Sequence, residues 1–149
     1  MYGAGGHTGG FVVDELARRG IPALAVGRRD VAARAGAAIR IAAVDDRDAL
    51  IGAFADCAVV INAAGPFLDT AGPLVEAALA AGCHYIDVTA EQESALRTLA
   101  TFDAAARARG LVVIPAAGFF GGLADLLASD LAGPAPIERI DVVVALDRW

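Results

Sequence analysis

The chain contains no lysine; all twelve of its basic residues are arginine. That absence removes whole classes of chemistry. A P-loop needs its Gly-Lys pair, a pyridoxal-phosphate enzyme needs a Schiff-base lysine, and a conventional short-chain dehydrogenase needs Tyr-x-x-x-Lys. Cysteine is nearly absent too: Cys57 and Cys83 supply neither a disulfide framework nor a metal-ligand set, and both read as buried thiols. Charge is sparse, at 20% of residues with a net of −6, and an acidic surface attracts neither nucleic acid nor an anionic membrane. The longest stretch free of charge, residues 110–124, carries glycines and a proline and falls short of the ~20 residues that span a bilayer. The basic and apolar regions of a secretion signal are also missing, so a cytoplasmic location is expected.

What is present is apolar bulk. At 149 residues and 57% hydrophobic content, the chain is long enough for one core without a disulfide or metal staple. A mean hydropathy of +0.57 is high for a free-standing domain, and alanine inflates it. Short Val- and Ile-rich runs at 23–26, 39–44, 58–63, 84–88 and 111–115 alternate with helical stretches at 10–19, 48–54, 71–81 and 91–109. Runs of that length and composition predict strands buried on both faces. Their alternation with helices predicts βαβ units and an α/β, doubly wound parallel sheet. A further helix is expected near 123–131, then a break at Gly133-Pro134-Ala135-Pro136 and a strand over 137–146. The expected division is a dinucleotide-binding domain over 1–133, with 134–149 as a linker and the first strand of a second domain.

The chemistry begins at Gly3-Ala4-Gly5-Gly6-His7-Thr8-Gly9-Gly10. Threonine stands where a strict G-x-G-x-x-G needs its last glycine, but the wider G-x-x-G-x-x-G form fits Gly3, Gly6 and Gly9. Glycines there permit a tight turn and close backbone approach to a pyrophosphate, which the N-terminus of the following helix then holds. Thr8 offers a hydroxyl and His7 a ring donor. Only Met1 and Tyr2 precede Gly3, so most of the strand expected before such a loop is missing from the chain as written. About 20 positions on, where an NAD-binding fold places an acid for the ribose, the second run ends in Gly27-Arg28-Arg29-Asp30. Guanidinium groups there suit a 2′-phosphate, favouring NADP over NAD; the alternative is that Arg28 and Arg29 are solvated surface charges, and Asp30 still has reach to a ribose.

Other run ends carry candidates for the same crevice. Asp45-Asp46 can meet an adenine edge or cap the next helix. Asn62-Ala63-Ala64-Gly65-Pro66-Phe67 offers small residues against which a nicotinamide ribose can lie. Asp87 and Glu91 can form an acid/base pair, or Thr89 and Glu91 can serve the start of the next helix. His84 is expected at a strand's start, away from the crevice.

Together Gly3 to Gly9, Gly65-Pro66-Phe67 with Gly72, the run Gly82-Cys83-His84-Tyr85-x-Asp87-x-Thr89-x-Glu91, and Ile114-Pro115-Ala116-Ala117-Gly118-Phe119 resemble the saccharopine dehydrogenase-like oxidoreductases, in particular the bacterial branch with trans-acting enoyl reductases. The resemblance implies a Rossmann-type NADP-binding domain followed by a substrate-binding domain that also makes dimer contacts. It implies that Gly3, Gly6, His7, Thr8 and Gly9 hold the pyrophosphate and that Arg28 holds the adenosine phosphate; Gly5 and Arg29, beside them in the chain, are further cofactor-binding candidates. Gly65, Pro66 and Phe67 would border the nicotinamide, with Gly118 and Phe119 closing its far side. The family often has proline and serine or aspartate after Gly118-Phe119, where this chain has Phe120-Gly121-Gly122. The implied function is hydride transfer to or from an unidentified small molecule, with this chain alone inactive and its proton donor elsewhere. The competing reading is a non-catalytic NADP(H) sensor. A short-chain reductase or epimerase is disfavoured by the missing Tyr-x-x-x-Lys.

Overall fold

Valine and isoleucine, branched at Cβ, favour extended backbone and pack well on a pleated surface. In the computed structural model of the chain, which describes residues 1–29, 36–132, 139 and 141, they build five parallel strands. These are β1 (Leu24–Gly27), β2 (Ala38–Ile41), β3 (Val59–Asn62), β4 (His84–Asp87) and β5 (Val113–Ile114). The helices are α1 (His7–Arg18), α2 (Arg47–Phe54), α3 (Phe67–Ala80), α4 (Gln92–Ala108) and α5 (Ala124–Ala132), the last preceded by a π-helical turn at Phe119–Leu123. β1 pairs with β2, while β3, β4 and β5 pair in that order, all parallel. The proposed linker and second-domain strand over 134–149 lie almost wholly outside the described residues.

Two residues join the two sets of strands. Tyr2 bridges Val26 on one side and Asn62 on the other, parallel to both. Its N–H donates to Ile61 O at 2.8 Å and its carbonyl accepts from Ala63 N at 3.1 Å. Val26 N donates to Met1 O at 2.8 Å, and Met1 N to Leu24 O at 2.7 Å. The spatial order is therefore β2, β1, Met1–Tyr2, β3, β4, β5, the order of a Rossmann sheet with Met1–Tyr2 at its central position. The point where the chain reverses direction across the sheet falls at Tyr2–Gly3, and the ligand crevice of an open α/β sheet forms at such a point.

The sheet is covered unequally. On one face, α2, α3 and α4 pack over a core that includes Leu50, Phe54, Val60, Leu74, Val75 and Tyr85; burying each large apolar side chain is worth about 1.5–3 kcal/mol. The opposite face carries a smaller cluster of Met1, Ala4, Val13 and Ala25, packed with Val12 and Ile39. β1 is buried on both faces as expected, but β3 and β4 alternate: Val60, Asn62, Tyr85 and Asp87 are buried, whereas Ile61 and Ile86 are half-buried.

Helix boundaries differ from the periodicity at two places. α1 begins at His7 rather than Gly10, and α3 at Phe67 rather than Ala71. Glycines and prolines signalled loop at both. Gly9 is nevertheless helical because the close approach of α1 to Gly3 requires it, and α3 starts early because a distant side chain caps it, as described below. Pro73 sits inside α3.

Candidate functional site

Gly3 leaves the two-residue strand at a φ of +81°, and a Cβ there would press within 3.0 Å of Ala64 N and Cβ. Only glycine combines that left-handed backbone with that approach. Gly6 N closes the turn on Gly3 O at 3.0 Å, and Gly10 N continues it onto Gly6 O at 2.9 Å. A Cβ on Gly9 would collide with the Gly3 carbonyl and lie 3.0 Å from Ala4 Cα, so Gly9 seats the helix on the turn and is itself buried. At the helix start the first N–H groups have no carbonyl in a preceding turn and present the positive end of the dipole. His7 and Thr8 are exposed there, with the His7 ring edge-on to Phe11 at 4.9 Å.

A cleft of about 740 Å³ opens beside this turn, lined by Gly3, Gly5 and Gly6, by Gly27, Arg28 and Arg29 at the end of β1, by Val44, and by Ala64, Gly65 and Pro66 after β3. Tyr2, and Asp69 and Thr70 of α3, complete its lining. The Tyr2 hydroxyl donates to Ala42 O at 3.2 Å, and burial holds its phenol above the usual range, opposed by the nearby Arg28. Eight of the residues singled out in the sequence thus share one cavity. The glycine cradle and two exposed guanidinium groups fit a phosphorylated dinucleotide on an observation of shape: side chains at Gly3 and Gly9 would fill the turn.

Other candidates fall elsewhere. Asp45 lies in the turn after β2, exposed and beside the cleft's Val44, while its neighbour Asp46 caps α2 by accepting from Ala49 N at 2.9 Å. Asn62 is fully buried and does not line the cleft. Its Oδ1 accepts from Ala64 N at 2.9 Å, and its Nδ2 donates to Tyr85 OH at 3.1 Å and Thr70 Oγ1 at 3.3 Å. Phe67 begins α3. Gly118 and Phe119 border a separate apolar recess of about 880 Å³ with Ile86, Ile114, Leu123 and Leu126, so they do not join the first cleft.

The carboxylates weighed as an acid/base pair are both engaged. Asp87 is fully buried; one oxygen accepts from Tyr85 OH at 2.9 Å and the other from Thr89 N at 3.0 Å and Ala116 N at 2.9 Å. Burial, and then Asp87, drive the Tyr85 phenol far above its ordinary range. Glu91 accepts from Phe67 N and Leu68 N, both at 2.8 Å, and its own N–H donates to Thr89 Oγ1 at 3.0 Å. Glu91 therefore caps α3, a long-range role that spacing did not show. His84 starts β4, where its Nδ1 accepts from Val112 N at 3.0 Å, away from the cleft as expected. Cys83 is buried with its thiol against Cys57 O at 3.0 Å, and Cys57 is half-buried. Among the described residues no three His, Cys, Asp or Glu converge as a metal site, and no helix is long and apolar enough to cross a membrane.

The fold is similar to that of known proteins. A protein from Burkholderia pseudomallei, described as exported, is 29% identical, with a TM-score of 0.52 over 58% of this chain and 44% of its own. An NADPH-dependent quinone oxidoreductase from Escherichia coli, solved with NADPH, is 20% identical, with a TM-score of 0.57 over 76% of this chain and 46% of its own. A nucleoside-diphosphate-sugar epimerase from Staphylococcus aureus is 18% identical, with a TM-score of 0.52 over 76% and 48%. The chain spans just under half the length of each; the last two show the shared fold alone. No curated protein matches. The family model described as the saccharopine dehydrogenase NADP-binding domain matches residues 1–114, which takes in the glycine turn, both arginines and all five strands; the chain belongs to that family.

Proposed function

We propose that the chain is the cofactor-binding part of an NADP-dependent oxidoreductase, transferring hydride to or from a small molecule, with residues 134–149 leading toward a substrate domain that also makes dimer contacts. The observation that carries this reading is that one cleft brings together Gly3, Gly5 and Gly6, the arginines at the end of β1, and the Ala64–Pro66 wall. NADPH, when bound, supplies the hydride. The start of α1, with Gly5, Gly6, His7 and Thr8, receives the pyrophosphate, and Gly9 keeps that helix close. Arg28 and Arg29 take the 2′-phosphate, each charge-assisted bond being worth about 1.5–3 kcal/mol. Asp45 flanks the adenosine side. Ala64, Gly65, Pro66 and Phe67 orient the nicotinamide half, and Asn62 holds that wall from behind. Gly118 and Phe119 act from the neighbouring recess, on the substrate side. Two unpaired cysteines suit a reducing, cytoplasmic setting.

Titration of the chain with NADPH and NADH tests the assignment. NADPH is expected to bind at least about tenfold tighter, and Arg28→Ala to collapse that ratio; equal affinities, or a ratio that Arg28→Ala leaves intact, would overturn it. The engagement of Asp87 and Glu91 in structural hydrogen bonds favours a second reading, a non-catalytic NADP(H) sensor. Oxidation of NADPH with carbonyl or enoyl substrates by a longer protein that also carries the proposed substrate domain separates the two, since this chain alone is expected to be inactive under either reading and a sensor binds without turnover.

A further inference from the structure

We infer that Glu91, a residue outside the cleft, is a positioning residue for the nicotinamide half of NADPH; the inference rests on the cofactor reading above. The wall Ala64–Phe67 is fixed at both ends. At its start, Asn62 Oδ1 accepts from Ala64 N and Thr70 Oγ1 donates to Ala64 O at 2.6 Å. At its end, the Glu91 carboxylate reaches from the β4–α4 connection and takes the N–H groups of Phe67 and Leu68, one on each oxygen at 2.8 Å. Arg97, on α4, donates to Leu68 O. The first clamp belongs to β3 and α3 themselves, whereas the second crosses from a neighbouring βα unit. Glu91 is therefore the tie that sets where the end of the wall stands relative to the sheet.

The same carboxylate has an electrostatic effect. The N-terminus of a helix is a ready anion site, and α3 starts at the edge of the cleft. Glu91 fills that position with an internal carboxylate, whereas the start of α1, which borders the cleft, has no side-chain cap and is open to a phosphate. The order of strand ends then assigns the halves of the dinucleotide. Adenosine lies over β1 and β2, where Arg28, Arg29 and Val44 stand. The pyrophosphate lies at Gly3–Gly6, and the nicotinamide lies over the wall after β3. Loosening Glu91 should disturb only the last.

The test compares two ligands on the full chain by calorimetry. NADPH spans the whole cleft, while adenosine 2′,5′-bisphosphate occupies only the adenosine side. Glu91→Ala is expected to weaken NADPH about tenfold and leave the bisphosphate unchanged within about twofold. Glu91→Gln, which keeps one acceptor oxygen, should fall between wild type and Glu91→Ala and carries the test if the alanine variant does not fold. Equal losses for both ligands would mean a merely structural role and overturn the inference, as would undiminished NADPH binding. A wild-type chain that binds neither ligand would overturn the cofactor reading itself, and this inference with it.

Discussion

At Gly9 a hydrogen atom is the only side chain that fits, because anything larger meets the Gly3 carbonyl. Gly9→Ala is expected to cost about 1–3 kcal/mol through overpacking and to weaken NADPH by pushing α1 off the turn; urea unfolding and cofactor titration read the two effects. Glu15 gives a residue-scale pH dependence. Arg18 holds it through paired bonds of 2.7 Å, and Arg19 adds another, lowering its carboxyl from 4.5 to about 2. A depressed folded value means a contribution present above about 4.5 and lost as pH falls toward about 2. The helix signal of wild type should therefore decline more than that of Glu15→Gln across this window at low salt, and the difference should shrink in high salt because the pairs are exposed. Gly3 and Arg28 were legible as site candidates because glycine spacing and strand-end charge are local signals. Asn62 was read as a candidate too, but its partners were not legible, since a polar residue at a strand end reads alike whether it faces a ligand or, as here, Tyr85 and Thr70.

Among the elements, α2 shows how much a short helix depends on its ends. Its eight residues are capped at the start by Asp46, while at the finish Arg40 Nη1, from β2, donates to the carbonyls of Gly52, Ala53 and Ala55 at 3.0–3.2 Å. Asp46→Ala should cost about 1 kcal/mol and Arg40→Ala about 1–2 kcal/mol, nearly additively, as chemical denaturation of the single and double variants would show. The Asp46 cap could be read from the sequence because a cap is a neighbour of its helix. The start of α3 could not, because its cap, Glu91, stands 24 residues further on. Local pattern sees only partners close in the chain.

For the whole molecule, the alternation of apolar runs and helices was enough to give the parallel sheet and its strand sequence. It could not show that, among the described residues, Met1 and Tyr2 bridge the two sets of strands, or that Ile61 and Ile86 are only half-buried, since burial depends on packing partners. Tyr2 is buried, with its own backbone bonds on the β3 side and those of its neighbours Met1 and Gly3 on β1, so Tyr2→Ala should cost about 3–5 kcal/mol and uncouple β1–β2 from β3–β5, visible as a broadened denaturation transition. The Arg40 contact has a wider consequence. β2 is the outermost strand on its side of the described sheet, and an open strand edge invites pairing with another chain. β2 is four residues long, carries a charge at its third position and turns that charge onto the end of α2. The contact that finishes a helix also leaves a foreign strand little flat, uncharged edge to extend, so Arg40→Ala should raise the tendency to self-associate along with its loss of stability.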